Sequence, residues 1–198
     1  TGSVAASISA TSGSVSVSAN VAVALAENAV GPNVTAGIRN SDVSTSSGNI
    51  DIDALSNTTV DAVTFAASVD VSGSSSIAGS FSGAGARATN TITGATLATI
   101  DTGSDVDATG SIMVDATDTS QITSDVVAAS VTIAVSSSIS FSVGISVTLA
   151  ENSIGGSTTA QIADSDVDST AGAVLVDAVG MQDIDAVAVA ATASVSAS

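Results

Sequence analysis

The sequence predicts an all-β fold, a right-handed parallel β-helix (β-solenoid) of about three 62-residue repeats. Three observations point there. Segments recur at a fixed interval, and within them apolar and small polar residues alternate with a period of two. The apolar mass is also almost entirely Ala, Val and Ile: hydrophobic residues make up 44% of the chain and aromatic ones only 2%. A core of such small side chains is thin, which suits stacked β layers. Ser, Thr, Asp and Gly supply most of the rest and favour turns and exposed strand faces over helix.

The repeat is read from matching columns. Leu25-Ala26-Glu27-Asn28 returns as Leu149-Ala150-Glu151-Asn152, and the midpoint holds Arg87-Ala88-Thr89-Asn90. Ile38, Ile100 and Ile162 align, as do Gly48, Gly110 and Gly172, and the pairs Asp53-Ala54, Asp115-Ala116 and Asp177-Ala178. The chain therefore reads as one continuous array over 1–198, with approximate units 7–68, 69–130 and 131–192 and a partial remainder. The middle unit carries one extra residue between Ile100 and Asp105, and the register is restored by Gly110. A tolerated insertion marks a turn, and a restored register marks strands.

The elements follow in order. Val15, Val17, Ala19, Val21, Val23 and Leu25 alternate with small or polar residues, and Ile139, Phe141, Val143, Ile145, Val147 and Leu149 repeat the pattern. Period two predicts a strand with one buried face. A short strand surrounds Ile38 to Val43, a further one runs Gly48 to Ala54, and another Val60 to Val71. Turns are expected at Ser12-Gly13, Gly31-Pro32, Ser47-Gly48 and Ser72-Gly73. The strand at Ile77 to Arg87 is weakened by Gly83 and Gly85, and Arg87 is expected to turn outward rather than pair with a carboxylate.

Such a unit cannot bury its own face, whereas stacked neighbours can. Turn spacing predicts about three coils per unit, each of roughly 20 residues, giving a rod about 45 Å long at the strand spacing of about 4.8 Å. Two coils of about 31 residues per unit, or an antiparallel β-sandwich, are the alternatives. Neither end shows a polar cap, and Val187 to Val195 reads as repeat interior. Unpaired edges seek partners, so the array is expected to continue, covalently or by pairing with copies of itself, end to end or laterally, into a filament.

Charge and missing residue types narrow the chemistry. Two basic residues, Arg39 and Arg87, face nineteen acidic ones, for a formal net charge of −17. Nucleic acid and anionic membranes would be repelled, and polar residues break every apolar run before the length of a membrane helix. The chain has no His, Cys, Lys or Tyr, which removes most catalytic bases and activated nucleophiles. No enzyme activity is expected. Cations are the natural small partners. Asp42, Asp105, Asp107, Asp166 and Asp168 recur at one turn and are candidate Ca²⁺ ligands, against the reading that they form a solvated acidic face. Asn28, Asn90 and Asn152, once per unit, are expected to satisfy backbone groups in a turn, with Gly48, Gly110 and Gly172 as turn glycines.

The pattern Glu27-Asn28-Ala29-Val30-Gly31 and Glu151-Asn152-Ser153-Ile154-Gly155, followed by Ser41-Asp42-Val43 and Ser165-Asp166-Val167, resembles the repeats of giant bacterial surface proteins, akin in style to filamentous-haemagglutinin-like adhesins. The middle unit departs from it, with Thr89-Asn90-Thr91-Ile92-Thr93 lacking the Glu. The resemblance implies export, an extracellular or cell-surface location, and a structural or adhesive role: a filament or surface-layer segment, a stalk that projects a binding domain, or a calcium-dependent binding module.

Overall fold

The structure is a computed structural model and describes residues 2–10 and 13–198. Among the described residues there is no helix. The strands are β1 (Gly2–Ala10), β2 (Val15–Val30), β3 (Asn33–Arg39), β4 (Asp42–Thr45), β5 (Ile50–Gly73), β6 (Ile77–Asp101), β7 (Asp105–Ala108), β8 (Ile112–Val135), β9 (Ile139–Ile162), β10 (Asp166–Ser169) and β11 (Val174–Ala197). They form three sheets. Sheet A has the order β1-β5-β8-β11; in sheet B, β6 is flanked by β2 and β3 on one edge and β9 on the other; sheet C is the short ladder β10-β7-β4.

Every strand pair is parallel, which excludes the antiparallel sandwich. The register is the sequence repeat itself. Val15 pairs with Ile77 and Ile77 with Ile139, while Ile50 pairs with Ile112 and Val174 with Ile112. Each residue thus sits on its own counterpart one unit away. This overturns the expected coils of roughly 20 residues: each 62-residue unit supplies one layer to each sheet. The stack is about three layers, or roughly 15 Å, instead of the expected rod. A single long strand such as β5 extends up to about 80 Å.

The strands are long because the chain gives the backbone no reason to turn. Gly48 to Ala54 and Val60 to Val71 were expected as two strands, yet β5 runs unbroken from Ile50 to Gly73. The segment between, Leu55-Ser56-Asn57-Thr58-Thr59, has no Gly or Pro and keeps the alternation. Turns occur where the sequence does punctuate. Gly31-Pro32 separates β2 from β3. Gly48 adopts φ +107° between β4 and β5. The inserted residue of the middle unit falls in the β6–β7 turn, as expected: Ile38 pairs with Ile100, then Asp42 with Asp105, one residue out of step, until Ile50 meets Ile112. That turn needs two left-handed residues, Thr102 and Gly103, where the other units use one, Asn40 or Asp164.

The interior carries a size gradient. Where sheets A and B meet the short sheet C, the core is Ile and Val: Ile52, Ile100, Val106, Ile112 and Val114 pack with Ala54, Ala98, Ala108 and Ala116. Along the middle it shrinks to alanine, with Ala22, Ala24, Ala62, Ala66, Ala84, Ala86, Ala88 and Ala128 around Val126. Farther on the facing residues are mostly serine. There a hydroxyl of one sheet reaches the backbone of the other, as Ser80 Oγ donates to Asp70 O (3.0 Å) and Ser82 Oγ to Ser68 O (3.2 Å). Three converging sheets leave a wide space, whereas two sheets face to face leave a thin one.

The buried face of β2 and β9 is the small one. Ala22 and Ala24 point inward, and Val21, Val23, Leu25, Ile145, Val147 and Leu149 point out. The larger apolar side chains of these strands therefore coat the surface, because two facing sheets hung with Val and Leu could not approach within serine's reach.

Four buried side-chain oxygens among the described residues break the pattern of satisfied polar groups: those of Thr64, Ser72 and Ser74 and one of Asp115. Thr64 is fully buried and its Oγ1 has no hydrogen-bond partner, while its register neighbour is Val126. Thr64→Val should raise stability by about 1 kcal/mol, since it removes an unsatisfied hydroxyl at nearly constant shape. Equilibrium denaturation checks this, and a loss of stability would contradict the assigned inward orientation.

Candidate functional site

In-register stacking turns each conserved column of the repeat into a ladder of like side chains. Asn28, Asn90 and Asn152 lie within β2, β6 and β9, not in a turn as expected. Their amides form a ladder: Asn28 Nδ2 donates to Asn90 Oδ1 and Asn90 Nδ2 to Asn152 Oδ1, each at 2.8 Å. An amide carries a donor and an acceptor on opposite edges, so it can satisfy the coil below and the coil above at once. Asn90 is fully buried and also donates to Ser124 Oγ on sheet A at 3.3 Å.

Gly48, Gly110 and Gly172 do lie in turns, stacked on one another. Gly110 N–H donates to Gly48 O at 2.8 Å. A Cβ on Gly110 would lie 2.5 Å from Gly48 O, and one on Gly172 would lie 2.4 Å from the Ser111 nitrogen. Close approach of backbone to backbone, more than dihedral freedom, reserves the later two positions for glycine.

The five candidate calcium ligands fall on sheet C. Asp42, Asp105 and Asp166 share one column, and Asp107 and Asp168 the next, all on the solvent side. The carboxyl pKa of Asp105 is raised, first by the charge of Asp107, then by partial desolvation and by Asp166, Asp42 and Asp168. Among the described residues, no group of three or more His, Cys, Asp or Glu has the arrangement to hold a metal ion. What the register certainly produces is a repulsive ladder.

Both arginines answer acids across coils. Arg39 Nε pairs with Asp101 Oδ2 at 3.1 Å. The Asp101 carboxyl pKa is lowered, chiefly by the Thr102 hydroxyl and further by Arg39. Arg87 turns outward as expected, and it also pairs with Glu151, a partner that was not favoured. That contact holds the Glu151 carboxyl below its ordinary value and raises the Arg87 guanidinium.

Two features lay beyond the sequence reading. Asp70 is fully buried on β5, and its Oδ2 accepts from Ser18 Oγ (2.8 Å), Ser80 Oγ (2.7 Å) and the Phe81 N–H (3.0 Å). Its position on the inward parity of β5, opposite a run of serines, was the available signal. The second is the outer face of sheet B. There Phe81 and Phe141 meet edge to face with centroids 5.5 Å apart. The Phe141 ring covers Gly79, whose Cβ would lie 2.4 Å from Phe141 Cζ. Gly83 and Gly85 are uncovered and floor an apolar trough between the side chains of β2 and β9, seen as depressions of about 200 and 210 Å³.

No protein-family model, curated protein or solved structure matches this chain.

Asn90→Ala should destabilise the protein by about 2–4 kcal/mol, because it leaves an Asn28 donor and an Asn152 acceptor unpaired in the interior. Urea unfolding measures it, and a change within error would show that the ladder contributes nothing. For Asp105 the sign of the pH effect is the reverse of an ordinary salt-bridged acid. A raised native pKa means that the native state binds more protons than the unfolded one, so stability is lost as pH rises above the unfolded carboxylate value of about 4. Asp105→Asn should therefore raise the melting temperature at neutral pH, and the gain should vanish at pH 3. Repeating the melts in CaCl₂ and in EDTA at matched ionic strength separates a bound ion from screening.

Proposed function

We propose that the chain is a structural segment of an extracellular bacterial filament or surface layer, a flattened right-handed parallel β-solenoid with one coil per 62-residue unit that assembles by end-to-end stacking. The chain visits sheets A, B and C in a fixed order and re-enters sheet A one layer on, from β5 through β6 and β7 to β8. That order supports closure into a coil, and the right hand is the one that parallel crossovers adopt.

The observation that carries the reading is the register. Every coil presents to the next the same backbone edge, the same asparagine and the same glycine turn, so one interface serves all coils. The outer edge of β11 offers 24 residues in the alignment that β8 already pairs. A further coil, from the same chain or another copy, would extend the hydrogen-bond ladders and the asparagine ladder without any new contact type. The sequence resemblance to bacterial surface repeats and the absence of His, Cys, Lys and Tyr support a non-catalytic, exported role.

Electron microscopy and fibre diffraction of the purified chain test this. Fibres with an axial reflection near 4.8 Å are expected, with strands perpendicular to the axis. Isolated particles at every concentration would overturn end-to-end assembly and favour a stalk or spacer.

A further inference from the structure

We propose that the outer face of sheet B is a lateral docking surface for a second copy of this chain, packed face to face so that a side-chain ridge of one copy seats in the glycine trough of the other. The proposal needs only the stacking of β2, β6 and β9, and it goes beyond end-to-end growth.

The face is apolar in relief. Val21, Val23 and Leu25 form one ridge and Ile145, Val147 and Leu149 another, on coils either side of Gly83 and Gly85. A Cβ at Gly85 would have no neighbour closer than 4.0 Å, and one at Gly83 none closer than 3.5 Å, so the trough is open. Phe81 and Phe141 close one end, and the Arg87–Glu151 pair closes the other. Ridge and trough are one coil apart. A two-fold axis in the interface plane, along the strands and placed between β6 and β9, sets the Ile145, Val147 and Leu149 ridge of each copy over the other's trough.

Charge distribution favours a copy of the chain as occupant. A molecule of net charge −17 repels itself, and its acids are not spread evenly. The outer face of sheet A carries Asp51, Asp53, Asp61 and Asp125, and sheet C carries its own ladder. The outward positions of sheet B from Val15 to Leu25, and those paired with them, hold no acid at all. Two copies can therefore meet on this face with the least repulsion. Its size also fits. With the copies offset by one coil, two strands of eleven residues overlap in each, roughly 350 Å², so pairing two faces buries roughly 700 Å² in all, the range of a weak, concentration-dependent dimer. A contiguous apolar patch of this size lies at the upper end of what a monomer exposes, and patches of that kind are often functional. Each further coil would enlarge it.

Sedimentation velocity across a dilution series reads the result. The 198-residue chain should form a dimer. Val147→Glu, at a side chain 60% exposed in the single copy, should leave circular dichroism and melting nearly unchanged yet weaken the dimer at least about 50-fold, by forcing an unpaired charge into the interface. Gly85→Val fills the trough while adding apolar surface, so it should also weaken the dimer; a general stickiness would be strengthened by it. Leu55→Glu, on the outer face of sheet A and 67% exposed, should leave the dimer intact. A wild-type chain that stays monomeric at the highest concentration, including one that then binds an apolar dye or lipid vesicles, would overturn the proposal. So would a tighter Gly85→Val dimer or equal disruption by Leu55→Glu. Small-angle scattering keeps the two assembly modes apart: lateral pairing increases the cross-section, and end-to-end growth lengthens the particle at constant cross-section.

Discussion

The constraint on which everything else depends is that each residue lies directly over its own repeat counterpart. With parallel strands and a one-unit register, any column of the sequence becomes a row of like side chains one strand spacing apart. Rows of like residues are favourable only for some chemistries. Amides chain donor to acceptor, glycine turns nest, and apolar groups pack. Like charges repel, and the Asp105 neighbourhood pays that cost, relieved only by its exposure to solvent. The repeat's composition follows from this filter. Asn occupies the inward column, the strand Asp residues are kept to the outside except Asp70 and Asp118, and arginines appear where an acid lies one unit away.

The second consequence is a core that is thin and weak per residue. Burying an alanine methyl contributes only about 0.8 kcal/mol, and much of the interior is Ala and Ser. Cohesion rests instead on long, uninterrupted backbone ladders and on polar side chains that bridge the sheets at short range. The wide end, where three sheets converge on Ile and Val, and the neighbouring cluster of Val60, Ile92 and Ile122 are the parts that resemble an ordinary hydrophobic core. The absence of tryptophan and tyrosine is then understandable: no interior position between two facing sheets has room for one.

The strand face that sequence alternation singles out as apolar points outward along β2 and β9, and this inversion leaves an apolar face bare on sheet B. The proposed growth along the stack would use the sheet edges, and the proposed lateral pairing the bare face of sheet B. The acidic surfaces lie apart from it, on sheet A's outer face and on sheet C.

Much of this was legible in the residues. The all-β class, the unit length, the turn insertion near Thr102 and the glycine turns could all be read from spacing, because spacing is what register copies. The stacking of Asp42, Asp105 and Asp166 also followed from the columns. The coil length could not be read: turn signals at Gly48 and Gly31-Pro32 are local, whereas whether β5 bends near Asn57 depends on a neighbouring coil that holds it straight. Nor could the sequence say which face of β2 is buried, since period two gives two faces and no label. Distance between sheets decides that, and distance is a property of the packed molecule. By itself, then, the sequence determined what repeats and what lies beside what; only the tertiary structure decided how far apart the layers sit, and therefore that the small side chains go in and the larger apolar ones stay out.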